Sequence, residues 1–264
     1  MLGKLLKNEF KATSRIFLPL YGLLLLYSLV YRYLLLPHEL PGILQTLVQL
    51  LSGFLYAAVI AAVVAVSFVM LIRRFSKNLL GDEGYLMHTL PVPASQHIAA
   101  KVLVATLWNV LSTLMVVASV VIMTVPIAEW GALPGTIWRT LRQVLTPLGI
   151  DPASMVTVVL VLLLVALVEK TLWLYAAMSL GQRSARHKTG TAIGVGAALY
   201  IGEQLVNALA IWSADRMGLL AVTATGEVAF AMRLLWYAVG SMAVFGVLYA
   251  IVSHRMLKRQ LNLP

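Results

Sequence analysis

Runs of eighteen or more predominantly apolar residues recur from one end of this 264-residue chain to the other, and this is the feature that most narrows its fold. A soluble core of the same length would be interrupted by polar connections. Here 61% of residues are hydrophobic and 11% are charged, against roughly 25% charged in an ordinary soluble domain. Six spans are predicted, at about 16–36, 47–72, 96–125, 153–180, 190–212 and 231–253. The expected architecture is all-α: one polytopic membrane domain covering 1–264, with six transmembrane helices, an N-terminal amphipathic interfacial helix and short extracytoplasmic helices.

The formal charge of +10 would suit nucleic acid if it lay on a soluble face, but the basic residues sit at the ends of the apolar runs. They read as topology signals, and no nucleic-acid partner is expected. With six spans, fourteen lysines and arginines share one side, five lie on the other, and Lys170 falls within a span. Basic loops stay cytoplasmic, so both termini and the connections after the second and fourth spans are expected in the cytoplasm. The chain has no cysteine, which excludes disulfides, thiolate metal sites and a cysteine nucleophile. The first apolar run is too long for a signal-peptide core and lacks a small-residue cleavage site, so it reads as a retained span.

Ahead of that span, residues 1–15 place Leu2, Leu5, Leu6 and Phe10 on one helical face and Lys4, Lys7, Asn8 and Lys11 on the other. This predicts an interfacial helix, either a plain membrane anchor or an elbow that also touches a cytoplasmic partner. Between the third and fourth spans, residues 126–151 carry Ile137, Trp138, Leu141, Val144, Leu145 and Leu148 on one stripe, opposed by Arg139, Arg142 and Gln143. A short helix on the outer leaflet is expected there, or a lid over an exit path. Segment 213–230, apolar and broken by Gly218 and Gly226, has the pattern of a re-entrant hairpin.

Charges inside a bilayer are costly, which singles out Glu169 and Lys170 in the fourth span and Glu203 in the fifth. Counted from the cytoplasmic ends of their spans at about 1.5 Å per residue, the two acids lie at similar depth. Lys170 is therefore expected to pair with Glu203 across two helices. Glu169, leaving its helix about 100° away, would need a partner of its own, water or a proton. Two roles are open for this polar patch: a structural ion pair that fixes helix register, or a lining of the translocation path or proton-coupling site.

The connection after the second span, residues 73–97, reads RRFSKNLLGDEGYLMHTLPVPASQH. Leu79, Leu80, Tyr85, Leu86 and Met87 supply apolar area. Asp82 and Glu83 are the acids, bracketed by Gly81 and Gly84, which permit a sharp bend. Pro91 and Pro93 hold the next stretch extended, and Ser95 is placed to cap the third span. The segment is either a solvated loop resting on headgroups or a structured docking element.

The stretch GDEGYLMHTLPV, followed by a new span, resembles the segment after the second span of bacterial ABC type-2 permeases. The opening MLGKLLKNEFKATSRIFLPLY is similar to the start of the same family. The resemblance implies a type V exporter fold in the bacterial cytoplasmic membrane, with an N-terminal connecting helix and a coupling segment at 73–95 that docks on a partner through Leu79–Met87. It also implies two permease subunits, identical or different, above two ABC ATP-binding subunits. The sequence has no G-x-x-x-x-G-K-[ST], so ATP and Mg are expected on the partner subunit, with no cofactor, metal or catalytic residue in this chain. The glycines of 190–196 lack the lysine of a phosphate-binding loop and read as close helix packing. His38-Glu39 has no second histidine at metalloprotease spacing, and no G-x-S-x-G occurs. The alternative to an exporter subunit is a secondary transporter or channel working through Glu169, Lys170 and Glu203; a membrane-embedded hydrolase is a more distant third.

Overall fold

The structure is a computed structural model that describes residues 2–35, 42–76, 94–184, 187–217 and 226–260. Every regular element among these residues is helical. In chain order they are α1 (Leu2–Val30), extended by a π turn at Tyr31–Leu35, α2 (Gly42–Phe75), α3 (Ala94–Thr124), α4 (Leu133–Leu145), α5 (Pro152–Gly181), α6 (Lys188–Arg216) and α7 (Glu227–Gln260). All but α4 are long and apolar enough to cross a membrane, giving six candidate spans. The protein is an all-α membrane protein.

The chain divides into two compact units. The first contains 1–73 and 103–136, so it holds α1, nearly all of α2 and most of α3. Its core consists of Phe17, Tyr21, Leu24, Val63, Val104 and Trp108. Apolar packing alone gives little net drive between helices in lipid, so polar side chains that bond across helices matter here, each worth on the order of 0.6 kcal/mol. The Tyr21 hydroxyl meets Ser112 Oγ at 2.6 Å, and Ser112 in turn meets Ser67 Oγ at 3.2 Å, which links α1, α3 and α2. Tyr27 donates to the carbonyl of Ser52, Tyr56 bonds Ser119, and Arg32 donates to the carbonyl of Met123.

The second unit contains 74–102 and 137–264. Here α5 packs against both α6 and α7. Asp151 caps α5 by accepting from the Ser154 N–H at 2.9 Å, and Pro152 follows at the first turn, where its missing donor is not needed. The far end of α5 is buried through Ala176, Ala177, Ser179 and Gly181. A methyl on Gly181 would stand 2.6 Å from Ala192 Cβ, so only glycine allows α5 and α6 to approach this closely. Trp173 donates its indole N–H to the Gly196 carbonyl at 3.1 Å, a second close approach of the same helices. Phe75 and Tyr175 stack with ring centroids 4.0 Å apart.

One sequence-based expectation changes. No elbow separates an N-terminal interfacial helix at 1–15 from a first span at 16–36: Leu2–Val30 is one continuous helix. The expected two-faced character of its first turns is present: Lys7, Asn8 and Lys11 are exposed, while Glu9 and Thr13, on the side of Leu5 and Leu6, are buried. The segment 213–230 is helical at both flanks, α6 running to Arg216 and α7 starting at Glu227, while 218–225, the proposed re-entrant tip, lies outside the described residues. The expected helix between the third and fourth spans is present as α4, with no buried residue and with Ile137, Val144 and, just beyond its end, Leu148 more than half exposed.

Candidate functional site

The charged residues of the fourth and fifth spans meet inside the second unit. Glu169 lies twelve residues before the end of α5 at Gly181, and Glu203 fifteen residues after the start of α6 at Lys188. At about 1.5 Å per residue both are roughly 20 Å from those ends, well within the hydrocarbon depth of a bilayer. Their carboxylates are almost completely enclosed, at 1% and 3% exposure.

Lys170 Nζ stands 3.7 Å from Glu203 Oε1, the interhelical pair expected from the spacing. The same nitrogen lies 3.0 Å from Glu169 Oε2, which corrects the expectation that Glu169 would point away to a partner of its own. Consecutive residues leave a helix about 100° apart, but a lysine has four methylenes and folds back far enough to bridge both acids. The lysine side chain remains 45% exposed, so the ammonium is drawn towards the acids from an open side.

Two tyrosines complete the site, and neither is evident from the charge pattern. Tyr249 of α7, 4% exposed, donates its hydroxyl to Glu203 Oε2 at 3.0 Å. Tyr200, one turn before Glu203 on α6, turns its ring face to Lys170, with Nζ 5.5 Å from the ring centroid. Gly246 brings α7 against Glu169, the position of an added Cβ falling 3.7 Å from Glu169 Cβ. A signal for the α7 contribution was present: Gly246, Tyr249 and Ser253 recur at helical spacing on one face of an otherwise apolar span, and Tyr249 and Ser253 are buried. The site is thus built from three helices, with Leu172, Ala176 and Tyr249 forming the apolar cluster beside it.

Glu203 is satisfied by a tyrosine hydroxyl and an ammonium. Glu169 is not: among the described residues neither of its oxygens has an aligned hydrogen-bond donor, and the 3.0 Å approach of Lys170 is an ion contact without that alignment. Such an arrangement holds a positive charge and is poorly suited to an anion. The other candidate element, Leu79, Leu80, Gly81, Asp82, Glu83, Gly84, Tyr85, Leu86 and Met87, lies outside the described residues. No protein-family model, curated protein or solved structure matches the chain.

Proposed function

We propose that this chain is the membrane subunit of an ATP-driven ABC exporter. It would work as a dimer with a second permease subunit, on ATP-binding subunits that are separate polypeptides, in the bacterial cytoplasmic membrane with both termini in the cytoplasm. The observation that carries this reading is the 73–95 connection between α2 and α3, whose GDEGYLMHTLPV stretch resembles the coupling segment of type-2 permeases. Closure of the ATP-binding subunits would push on this segment, and the two long helices that leave it would transmit the displacement into the membrane.

The physical basis for docking is area and shape. Leu79, Leu80, Tyr85, Leu86 and Met87 offer more apolar surface than a free aqueous loop requires, and burying one such side chain contributes roughly 1.5–3 kcal/mol. Asp82 and Glu83 would face basic groups on the partner and contribute less, as rim charges do. Cysteines at Gly84 and Leu86, unique in a chain without any, test the assignment by crosslinking to the ATP-binding subunit. Undiminished labelling of both by aqueous reagent in the assembled complex, without a crosslink, would identify a solvated loop.

A second reading is favoured by one observation, the buried acids bridged by Lys170. A secondary transporter or channel would use such a group directly, and transport by the chain with no ATPase present would select it.

A further inference from the structure

Glu169 and Glu203 converge on one cation, so with both acids ionised the site is one positive charge short. Two carboxylates converge on a single ammonium, with Lys170 Nζ 3.0 Å from one and 3.7 Å from the other. The titratable groups facing it are Glu169 and Lys170 from α5, Tyr200 and Glu203 from α6 and Tyr249 from α7. Leaving a net negative charge in so enclosed a place is costly, and Glu169 adds to that cost because both of its oxygens are buried and lack an aligned donor.

Three properties point to what fills the deficit. Carboxylates at 1% and 3% exposure recognise positive charge in a low dielectric, where it is held strongly. The Tyr200 ring already presents its face to a nitrogen cation. Lys170 itself is 45% exposed, and a lysine at mid-membrane depth does not face lipid without a large penalty, so the side from which it enters is lined by water or protein. The cation position is held by a flexible tethered group that the chain itself does not enclose.

We propose that Glu169, Glu203 and the face of Tyr200 form a binding site for a monovalent organic ammonium ligand, for which the Lys170 side chain is the tethered stand-in. An entering ammonium takes the place of the lysine nitrogen against both carboxylates, and Lys170 moves to the open side. For the exporter this names a substrate class, and it depends on that reading only for its transport meaning.

The test is fluorescence binding of dansylcadaverine, a primary ammonium carrying a reporter, to the purified full-length chain in nanodiscs without any ATP-binding subunit. Lys170→Met removes the competing cation and should bind roughly tenfold or more tighter than wild type, a change of about 1.4 kcal/mol. Lys170→Arg, which keeps a tethered cation, should bind as weakly as wild type. Adding Glu203→Gln to Lys170→Met should abolish the gain, which also removes simple partitioning into lipid from the signal. Should Lys170→Met fail to fold, Lys170→Gln carries the same expectation, since its amide still donates to a carboxylate. Binding by the neutral variant no tighter than wild type, or a gain that survives Glu203→Gln, overturns the proposal. Absence of probe binding together with a carboxylic C=O stretch that Glu169→Gln removes would assign the missing charge to a proton and overturn it equally. Because no partner is present, a negative result leaves the ATP-coupled reading standing, and absence of an ATPase partner leaves this one standing.

Discussion

Trp108 of α3 donates its indole N–H to the hydroxyl of Thr13 in α1 at 2.7 Å, while its ring is held between two phenyl rings of α1, Phe10 at 4.8 Å and Phe17 at 4.6 Å between centroids. Phe10 and Phe17 are two turns apart, so both project from the face that carries Thr13 between them. One side chain thereby fixes the register of α1 against α3.

Loss of this anchor should be measurable in reversible unfolding in bicelles. Trp108→Phe keeps the stacking and removes the donor, so a loss of about 1 kcal/mol is expected. Trp108→Ala removes both and should cost about 3–5 kcal/mol. Combining Trp108→Phe with Thr13→Val should cost no more than the larger single change; strict additivity would show that the hydrogen bond carries no coupling.

Gly181 and Gly194 offer a matched comparison. A methyl at Gly181 would enter the backbone of Ala192, 2.7 and 2.8 Å from its Cα and N, whereas one at Gly194 meets nothing within 4 Å. Gly181→Ala should destabilise the second unit by about 1–3 kcal/mol by forcing the α5 and α6 ends apart. Gly194→Ala should be neutral or slightly stabilising in the same unfolding assay. Equal effects at the two positions would mean that α5 and α6 do not approach as described.

The charge site should behave as a unit. Lys170→Ala leaves two enclosed carboxylates without their shared ammonium, so it should lower thermal stability more than the double change Lys170→Ala with Glu203→Gln. A coupling of about 0.5–3 kcal/mol is expected from the cycle. Tyr249→Phe should remove only the hydroxyl donated to Glu203 and cost about 1 kcal/mol. Additive losses in the cycle would separate Lys170 from Glu203.

For α4, the expected property is residence at the membrane surface. Its apolar stripe is exposed within the chain, and Arg142 lies 5.9 Å from the centroid of the Trp138 ring, an arrangement that sets the guanidinium at the edge of the apolar face. With the other tryptophans replaced, Trp138 emission should be quenched by lipids brominated near the headgroup and not by an aqueous quencher. The reverse pattern would place α4 in water.

Much of this architecture was legible because bilayer thickness imposes a length on every span. Apolar runs read at 96–125 and 153–180 correspond to helices at Ala94–Thr124 and Pro152–Gly181. At α1 the early turns are two-faced as read, with Lys7, Asn8 and Lys11 exposed, but they run into the first span without a break, and amphipathic periodicity carries no information on that continuity. The Lys170–Glu203 pair was accessible from depth alone. Its extension to Glu169 depends on the reach of a flexible side chain, and Tyr249 is brought to Glu203 by packing between residues 46 positions apart. Periodicity carries no information on such distant pairings.

The most direct test of the ATP-coupled assignment is ATP hydrolysis in proteoliposomes, measured on the chain isolated with the polypeptides that accompany it in native membranes and again after those polypeptides are stripped away. Hydrolysis is expected in the intact assembly, is lost with the chain alone, and returns when the ATP-binding subunit is added back. Hydrolysis by the stripped chain, or transport by that chain on an ion gradient with no ATPase present, would contradict the assignment.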